Sequence, residues 1–378
     1  MPPTLPIDAH REEITEGVAA HGLVVIEAPT GSGKSTRIPV WLEDAVDGQV
    51  LVVQPRRVAA RSLARYLADG RGERVGASVG YRVRFDDKSS ADTRLIFATP
   101  GVALRMLRAD VSRWPAAVVL DEFHERGLEI DLCAAVLLEA RRKGLTTAPL
   151  NFDFGHARWQ EPGRADRRDA SHGRGTYLPG PDRLWGSPQW AGSDELEERV
   201  GKAVRRALAQ REGDVLVFLP GKGEIDRCRV ECERIPPHNV EILPFHAGLS
   251  VDAVDKIFRQ SAKRRVFLAT NVAETSLTLP GVSTVIDSGL VRQMIHRGGR
   301  SALGLMPASQ ASLDQRAGRA GRTAPGFCVR LFSSGFRPEA VDRPEIERLE
   351  LDDLVLQAAA CGLDGPLLAE APWVTPPA

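Results

Sequence analysis

The sequence predicts an α/β fold of two lobes, each built on a parallel β-sheet that helices cover. Short apolar runs alternate with longer stretches of helical composition in the first lobe, and the same pattern starts again after Glu195. Strands that are apolar along their whole length are typical of a parallel sheet buried on both faces. Ligands of such sheets bind at the carboxyl ends of the strands, so the residues that follow each strand are the first candidates for a functional site.

Each predicted strand is a run of β-branched and other apolar residues that ends at a polar or glycine-rich turn. In the first lobe these runs are residues 23–26, 49–53, 94–97 and 117–120. In the second lobe they are residues 214–218, 241–243, 265–268, 284–286 and 327–332. From Pro344 the spacing of apolar residues predicts a helix, which would either pack back on the second lobe or begin a further domain.

The composition limits the kind of function that the chain can have. It carries 50 basic and 50 acidic side chains, so a nucleic-acid site has to be a local groove and not a generally basic surface. The five cysteines lack paired CxxC spacing, and Cys228 and Cys232 are expected to pack, not to bind metal. The sequence shows no signal peptide and no apolar run of membrane length, which favours a cytoplasmic protein.

A glycine-rich loop follows the first strand. Residues 28–35 read Ala-Pro-Thr-Gly-Ser-Gly-Lys-Ser, a phosphate-binding pattern with alanine at the usual first glycine. Backbone N–H groups and a helix N-terminus attract phosphate there, Lys34 would reach the β- and γ-phosphates, and Ser35 would bind Mg²⁺. The predicted nucleotide-binding residues are Thr30, Gly31, Ser32, Gly33, Lys34, Ser35 and Thr36.

Two acidic residues follow the fourth strand. Asp121 would hold Mg²⁺, and Glu122 would orient and deprotonate the attacking water, so the candidate metal ligands are Ser35, Asp121 and Glu122.

Three polar residues far along the chain complete the predicted catalytic set. The spacing of Gln315, Arg319 and Arg322 places them on one face of a helix. The arginines would stabilise the phosphoryl transition state and the glutamine would position water. A solvated charged face is the alternative, but the small residues between them favour close approach to a ligand.

The order of these motifs resembles that of superfamily 2 nucleic-acid helicases of the DEAH/RHA group, in particular the bacterial HrpB type. The resemblance covers about residues 5–363 and is carried by Asp-Glu-Phe-His-Glu-Arg at 121–126 and Ala-Thr-Asn-Val-Ala-Glu-Thr-Ser-Leu at 269–277. It implies two RecA-like P-loop NTPase domains with parallel sheets and an ATP-dependent RNA helicase that uses ATP and Mg²⁺. It also implies single-stranded RNA as the track, and we expect a monomer with no membrane partner.

The same resemblance implies a set of nucleic-acid contacts at strand ends. These residues are Arg56, Arg57, Thr99, Gly221, Thr270, Asn271, Thr275 and Ser276. Small hydroxyls, backbone amides and a few arginines can hold phosphates without reading bases. The threonine and serine positions could instead form a turn or cap a helix. A preference for RNA rests on the resemblance alone, so a DNA-directed motor stays an alternative.

The resemblance also predicts the domain boundaries. Residues 1–180 would form the first lobe, 181–195 a linker, 196–340 the second lobe, and 341–378 the truncated start of a winged-helix region.

One expected motif is missing. Family members carry Ser-Ala-Thr after the DEAH element, where it links the ATP site to the nucleic acid, but residues 145–176 lack it. Codons for residues 154–159, shifted forward by one base, permit Ser-Ala-Thr-Leu-Asp-Gly, so we interpret 145–176 as a compensated frameshift, with true divergence as the alternative. We therefore expect the first lobe to lose a strand. A helicase remnant that binds ATP or RNA without productive unwinding is the second functional hypothesis.

Overall fold

The computed structural model describes the chain in segments that form two compact units. The described residues are 4–28, 31–108, 111–146, 148–154, 175–177, 195–234, 240–259, 261–274, 279, 281–297, 300–320, 326–332, 335–363 and 365–375. The first unit comprises residues 1–156, 296–301 and 343–378, and the second comprises residues 157–295 and 302–342.

The first unit is built on a seven-stranded sheet. Its strands are β1 Leu23–Glu27, β2 Val50–Val53, β3 Val79–Val83, β4 Asp86–Lys88, β5 Leu95–Ala98, β6 Ala117–Leu120 and β7 Leu150–Phe154. They lie in the order β1-β7-β6-β2-β5-β3-β4, and each neighbouring pair is parallel except β3 and β4. The helices are α1 Arg11–His21, α2 Lys34–Ala45, α3 Arg57–Gly70, α4 Pro100–Leu107 and α5 Leu128–Arg142, with α10 Asp352–Ala360 and α11 Pro366–Glu370 near the end of the chain.

Both faces of this sheet are buried. Along β2, Leu51 and Val53 belong to one apolar cluster, and Val50 and Val52 belong to the other. Among the helices, α4, α5 and α10 contribute to the first cluster, and α1, α2 and α3 contribute to the second. The predicted parallel sheet with helices on two faces is confirmed.

The second unit repeats this architecture. Its strands are β8 Gly175–Tyr177, β9 Asp214–Phe218, β10 Val240–Phe245, β11 Arg264–Ala269, β12 Val282–Asp287 and β15 Phe327–Arg330, in the order β10-β11-β9-β12-β15-β8. The pairings are parallel throughout this sheet. A separate two-stranded sheet joins β13 Leu290–Arg297 to β14 Arg300–Pro307, and the helices are α6 Glu195–Gln210, α7 Lys222–Glu233, α8 Val251–Phe258 and α9 Gln310–Ala317.

All nine predicted strands coincide with strands of the structure, with ends that shift by at most two residues. Cys228 and Cys232 lie on α7 and pack in the core of the second unit. Among the described residues, no helix combines the length and the apolar composition that a membrane span requires.

The expectation that the first lobe loses a strand is wrong. Residues 150–154 form β7, which pairs in parallel with β1 on one side and β6 on the other. Leu150 and Phe152 are buried as in the other strands, but they alternate with Asn151 and Asp153, which are buried and polar. A continuous apolar run was the signal for each of the nine predicted strands, and the alternating residues of β7 do not form one.

The C-terminal segment also differs from expectation. Instead of one helix it forms a short 3-10 helix, Glu345–Glu347, followed by α10 and α11. Ile346 and Leu354 are buried in the core of the first unit, so the expectation that this segment packs on the second lobe is wrong for these residues. Leu356, one of the apolar residues whose spacing predicted a helix from Pro344, is 69% exposed.

Candidate active site

A glycine-rich loop connects β1 to α2 in the first unit. Gly33 caps α2 in a left-handed conformation with φ of 101°, and a Cβ there would lie 2.6 Å from Leu5 Cδ1. Glycine is therefore required both by the backbone and by packing. Lys34 begins the helix, is 8% exposed, and donates from Nζ to the Ala28 carbonyl at 2.5 Å. A lysine beside a helix N-terminus has the electrostatics of a phosphate site.

A buried carboxylate lies beside this loop at the end of β6. Asp121 Oδ1 accepts hydrogen bonds from Ser35 Oγ at 3.0 Å and from the Glu122 amide at 3.1 Å. Its Oδ2 accepts from Gln54 Nε2 at 2.7 Å, and Gln54 directly follows β2. Hydroxyl and carboxylate oxygens are the ligands that Mg²⁺ prefers, so the donor set of Ser35 and Asp121 fits that ion.

A second buried carboxyl group comes from β7. Asp153 is 2% exposed, and its Oδ1 lies 3.6 Å from Lys34 Nζ. The side chain is also hydrogen-bonded to Asp121. Within the described part of the chain, Asp153 Oδ1 has no hydrogen-bond partner. The phosphate-binding pattern contains no acidic residue beside its lysine, so Asp153 is an addition to the predicted site.

Burial changes the protonation of both carboxyl groups. It raises the pKa of Asp153 well above the usual range, and the Asp121 charge raises it further. Burial and then the Glu122 charge raise the pKa of Asp121 to about 6, against the opposing effects of Asp153, Ser35 and Lys34. Two coupled carboxyl groups in a dry site titrate as a pair, so this pair retains a proton at pH values where exposed carboxyl groups are ionised.

The predicted general base sits in strained backbone. Glu122 has a left-handed φ of 52° and is 8% exposed. Its Oε2 lies 3.5 Å from His124 Nε2, and the next acid, Glu125, pairs with Arg56 Nε at 3.0 Å. Non-glycine residues adopt such a conformation only where the surroundings hold them, and strain of this kind is concentrated at functional sites.

In the second unit, the arginine-rich motif lies only partly on a helix. Gln315 is on α9, but that helix ends at Ala317 with Gly318 as its C-cap, and Arg319 lies beyond it. The prediction of one shared helical face is therefore wrong for Arg319. Arg319 is 5% exposed and donates through Nη2 to the Glu274 carbonyl.

A neighbouring arginine forms a buried charge network that the sequence argument missed. Arg316 is 1% exposed and donates to Glu274 Oε2 at 3.2 Å and to Asp287 Oδ1 at 3.0 Å. Arg316 therefore connects α9 to the 269–274 segment and to the end of β12, and it stabilises the packing of these three elements.

The nucleic-acid candidates of the first unit lie at strand and helix ends. Arg56 is the N-cap of α3 and pairs with Glu125, and Arg57 begins the helix with an exposed side chain. Thr99 is the half-buried N-cap of α4.

The candidates of the second unit occupy similar places. Gly221 is the buried N-cap of α7. Thr270 caps the 3-10 helix Asn271–Ala273 by accepting from the Val272 amide at 3.5 Å, and Asn271 is exposed. These residues thus lie at helix or strand ends, where they could contact a nucleic acid. Thr270 also has a structural role, because it caps a 3-10 helix.

Comparisons with known proteins agree with this geometry. Residues 9–139 match the family described as "DEAD/DEAH box helicase", and residues 198–324 match "Helicase conserved C-terminal domain". The chain belongs to the DEAD/DEAH box helicases. Its two α/β units with parallel sheets are the two helicase domains of this family.

The similarity to individual family members extends over the whole chain. The chain is 34% identical to "ATP-dependent RNA helicase HrpA" of Escherichia coli (strain K12), over 100% of its own length and 30% of that protein. It is 34% identical to "ATP-dependent RNA helicase HrpB" of the same organism, over 99% of its length and 47% of that protein. A solved structure, "Crystal structure of Escherichia coli DEAH/RHA helicase HrpB", superposes with a TM-score of 0.86 at 32% identity, covering 99% of this chain and 48% of that one. The helicase chain therefore spans less than half the length of these relatives.

Some predicted site residues lie outside the described part of the structure. They are Thr30, Thr275, Ser276 and Arg322. Residues 155–174 of the segment interpreted as a frameshift lie outside it as well. The helicase structure brings together Lys34, Ser35, Asp121 and Glu122 in the first unit, and it adds two residues to them, Gln54 and Asp153.

Proposed function

We propose that this chain is an ATP-dependent RNA helicase core that hydrolyses ATP to translocate on single-stranded RNA and unwind it. The observation that carries the proposal is the convergence of Lys34, Ser35, Asp121 and Glu122 at the carboxyl ends of β1 and β6. The relatives that are named ATP-dependent RNA helicases support it.

Each residue of this cluster has a distinct proposed task. The loop that includes Gly31, Ser32, Gly33 and Thr36 binds the phosphates through its amides, and Lys34 binds their oxygens. Ser35 and Asp121 hold Mg²⁺, which neutralises phosphate charge when bound. Glu122 accepts the proton of the water that attacks the γ-phosphorus, while Gln315, Arg319 and Arg322 complete the predicted set.

The RNA contacts remain those that the family resemblance implies. Arg56, Arg57, Thr99, Gly221, Thr270, Asn271, Thr275 and Ser276 are proposed to hold the sugar-phosphate backbone without base specificity. Because the charges of the chain balance, these local contacts supply the electrostatic attraction, and binding should weaken steeply with salt. The domain boundaries predicted above, a monomeric state and a cytoplasmic location belong to the same proposal.

RNA-stimulated ATP hydrolysis tests the proposal. The purified chain is assayed with Mg²⁺ and ATP alone, with single-stranded RNA, and with single-stranded DNA of the same sequence, with Lys34→Ala as the inactive control. We expect RNA to raise turnover more than DNA. Stronger stimulation by DNA would instead identify a DNA-directed motor.

A helicase remnant is the second candidate, and one observation favours it. Residues 145–176 lack the Ser-Ala-Thr motif, and a carboxyl group, that of Asp153, lies next to Lys34. Retained ATP binding with no RNA stimulation of turnover would favour the remnant over the active core.

A further inference from the structure

The loop that carries the predicted general base is strained at both ends. Between β6 and α5 it contains Glu122, with φ of 52°, and Arg126, with φ of 47°. Both conformations are left-handed, which is unfavourable for residues other than glycine. The loop therefore depends on outside contacts to keep its shape, and the position of Glu122 depends on the loop.

The C-terminal segment, defined here as residues 343–375, supplies two of these contacts at Arg126. The Arg126 carbonyl accepts a hydrogen bond from the Glu345 amide at 2.9 Å. Its guanidinium donates to Thr375 Oγ1 at 2.9 Å while pairing with both oxygens of Asp131, at 2.8 and 3.1 Å. Main chain and side chain of the strained residue are thus both held from this segment.

A further contact reaches the start of α5. Glu345 Oε2 accepts from the Leu128 amide at 3.0 Å, and Leu128 is the first residue of that helix. A carboxylate is favoured at a helix N-terminus, where it satisfies an N–H group that has no partner within the helix. Glu345 therefore also holds the loop on the C-terminal side of Arg126, where α5 begins.

The segment is itself fixed by burial. Ile346 and Leu354 are 1% and 3% exposed and pack in the same apolar cluster as Phe123 of the loop and Ile130 of α5. Glu347, on the same 3-10 helix as Glu345, points to solvent. The polar contacts at Glu345 and Thr375 are consequently held in place by a packed core.

We propose that Glu345 and Thr375 are positioning residues for ATP hydrolysis, because they hold the 121–127 loop in the strained shape that places Glu122. This inference rests on the proposed function. It predicts that loosening these contacts slows the hydrolytic step and leaves nucleotide binding, which uses the glycine-rich loop, nearly unchanged.

The test compares Glu345→Ala, Thr375→Val and the double variant with the matched control Glu347→Ala. We expect about a tenfold lower kcat for the double variant, with the Kd for a fluorescent ATP analogue unchanged, and no change in the control. Glu345→Gln keeps a hydrogen-bond acceptor of the same length and should restore most of the turnover. A kcat within twofold of the wild type in the double variant would overturn the proposal.

Amide hydrogen exchange gives a second readout that does not need turnover. Peptides covering residues 121–131 should exchange faster in Glu345→Ala and Thr375→Val than in the wild type, and Glu347→Ala should leave them unchanged. Unchanged exchange in both variants refutes the positioning role. A wild type without ATPase activity refutes the proposed function instead, and the exchange result then decides the role of the segment by itself. Melting temperatures of all variants show whether any effect comes from general unfolding.

Discussion

Replacing Asp153 with Asn should strengthen nucleotide binding. Lys34 Nζ lies 3.6 Å from Asp153 Oδ1, and both groups are almost fully buried. A triphosphate that binds Lys34 takes this cation away from Asp153 and brings further negative charge to it. The carboxylate therefore stabilises the nucleotide-free site and opposes the bound one, whereas asparagine of the same size carries no charge.

The distances give the size of this effect. A phosphate oxygen at about 2.8 Å from Lys34 Nζ would lie within about 6.4 Å of Asp153 Oδ1. Two unit charges at that separation repel by about 2.6 kcal/mol at an effective dielectric constant of about 20. Because this is the largest possible separation, full ionisation of Asp153 would weaken binding by at least about 80-fold. Burial raises the pKa of Asp153 well above its usual range, which opposes this ionisation, so the gain in affinity from Asp153→Asn should be smaller than the value for full ionisation at low pH and should increase with pH.

Equilibrium titration with a fluorescent ATP analogue measures this gain. Because protonation removes the charge, the advantage of Asp153→Asn over the wild type should grow as pH rises through the raised pKa of Asp153 and shrink at lower pH. Asp69→Asn, which removes an exposed carboxylate from α3 of the same unit, is the matched control. Equal affinity of wild type and Asp153→Asn at every pH at which the protein stays folded would show that Asp153 does not oppose the nucleotide.

Three further predictions concern the proposed base, the buried arginine and the buried acid. Glu122→Gln should lower ATP turnover by at least about 100-fold without weakening ATP binding, and unchanged turnover would exclude Glu122 as general base. Arg316→Ala leaves two buried carboxylates uncompensated and should cost about 3–5 kcal/mol in urea unfolding, against about 1 kcal/mol or less for Asp314→Asn, which removes the exposed partner of Arg330. Asp121 has a folded-state pKa of about 6, above its unfolded value, so its contribution to stability is lost as pH rises from about 4 to about 6. Asp121→Asn should flatten that pH dependence in urea titrations, and an unchanged slope would contradict the shift.

The sequence predicted the site residues that follow apolar strands. Lys34, Ser35 and Asp121 converge because the carboxyl ends of parallel strands meet at one edge of a sheet. Gln54 could have been found by the same rule, since it directly follows β2. Asp153 was missed because continuous apolar runs were taken as the sign of a strand, whereas residues 150–154 alternate apolar and polar side chains, a pattern that also predicts a strand.

The spacing of residues along the chain did not by itself predict where α9 ends. Gln315 and Arg319 have helical spacing, but Gly318 between them ends α9. Glycine is the residue most often found just beyond a helix end, so the sequence did contain that signal. The position of the C-terminal segment was beyond local reasoning, since the contacts of Glu345 and Thr375 join residues that lie more than 200 positions apart in the chain.

The last prediction concerns the missing Ser-Ala-Thr motif. Phe152 pairs with Leu120 in the sheet, and β7 ends at Phe154, so the motif would begin at the last residue of the strand that lies next to β6, which Asp121 and Glu122 follow. The triple variant F154S/G155A/H156T restores the three residues that the shifted codons permit. If this segment couples hydrolysis to the track, single-stranded RNA should stimulate ATP turnover at least about tenfold more in the variant than in the parent chain.

The comparison also separates the two proposed functions. Asp153→Asn is the control, because it relieves the charge beside Lys34 without supplying the motif. A gain in RNA stimulation that appears only with Ser-Ala-Thr would identify the parent chain as a remnant whose other parts are intact. Strong stimulation in the parent that the variant does not increase would instead show that this chain couples RNA to hydrolysis through a different segment. Sequencing codons 140–180 of the coding DNA then shows whether the gene itself lacks the codons for the motif.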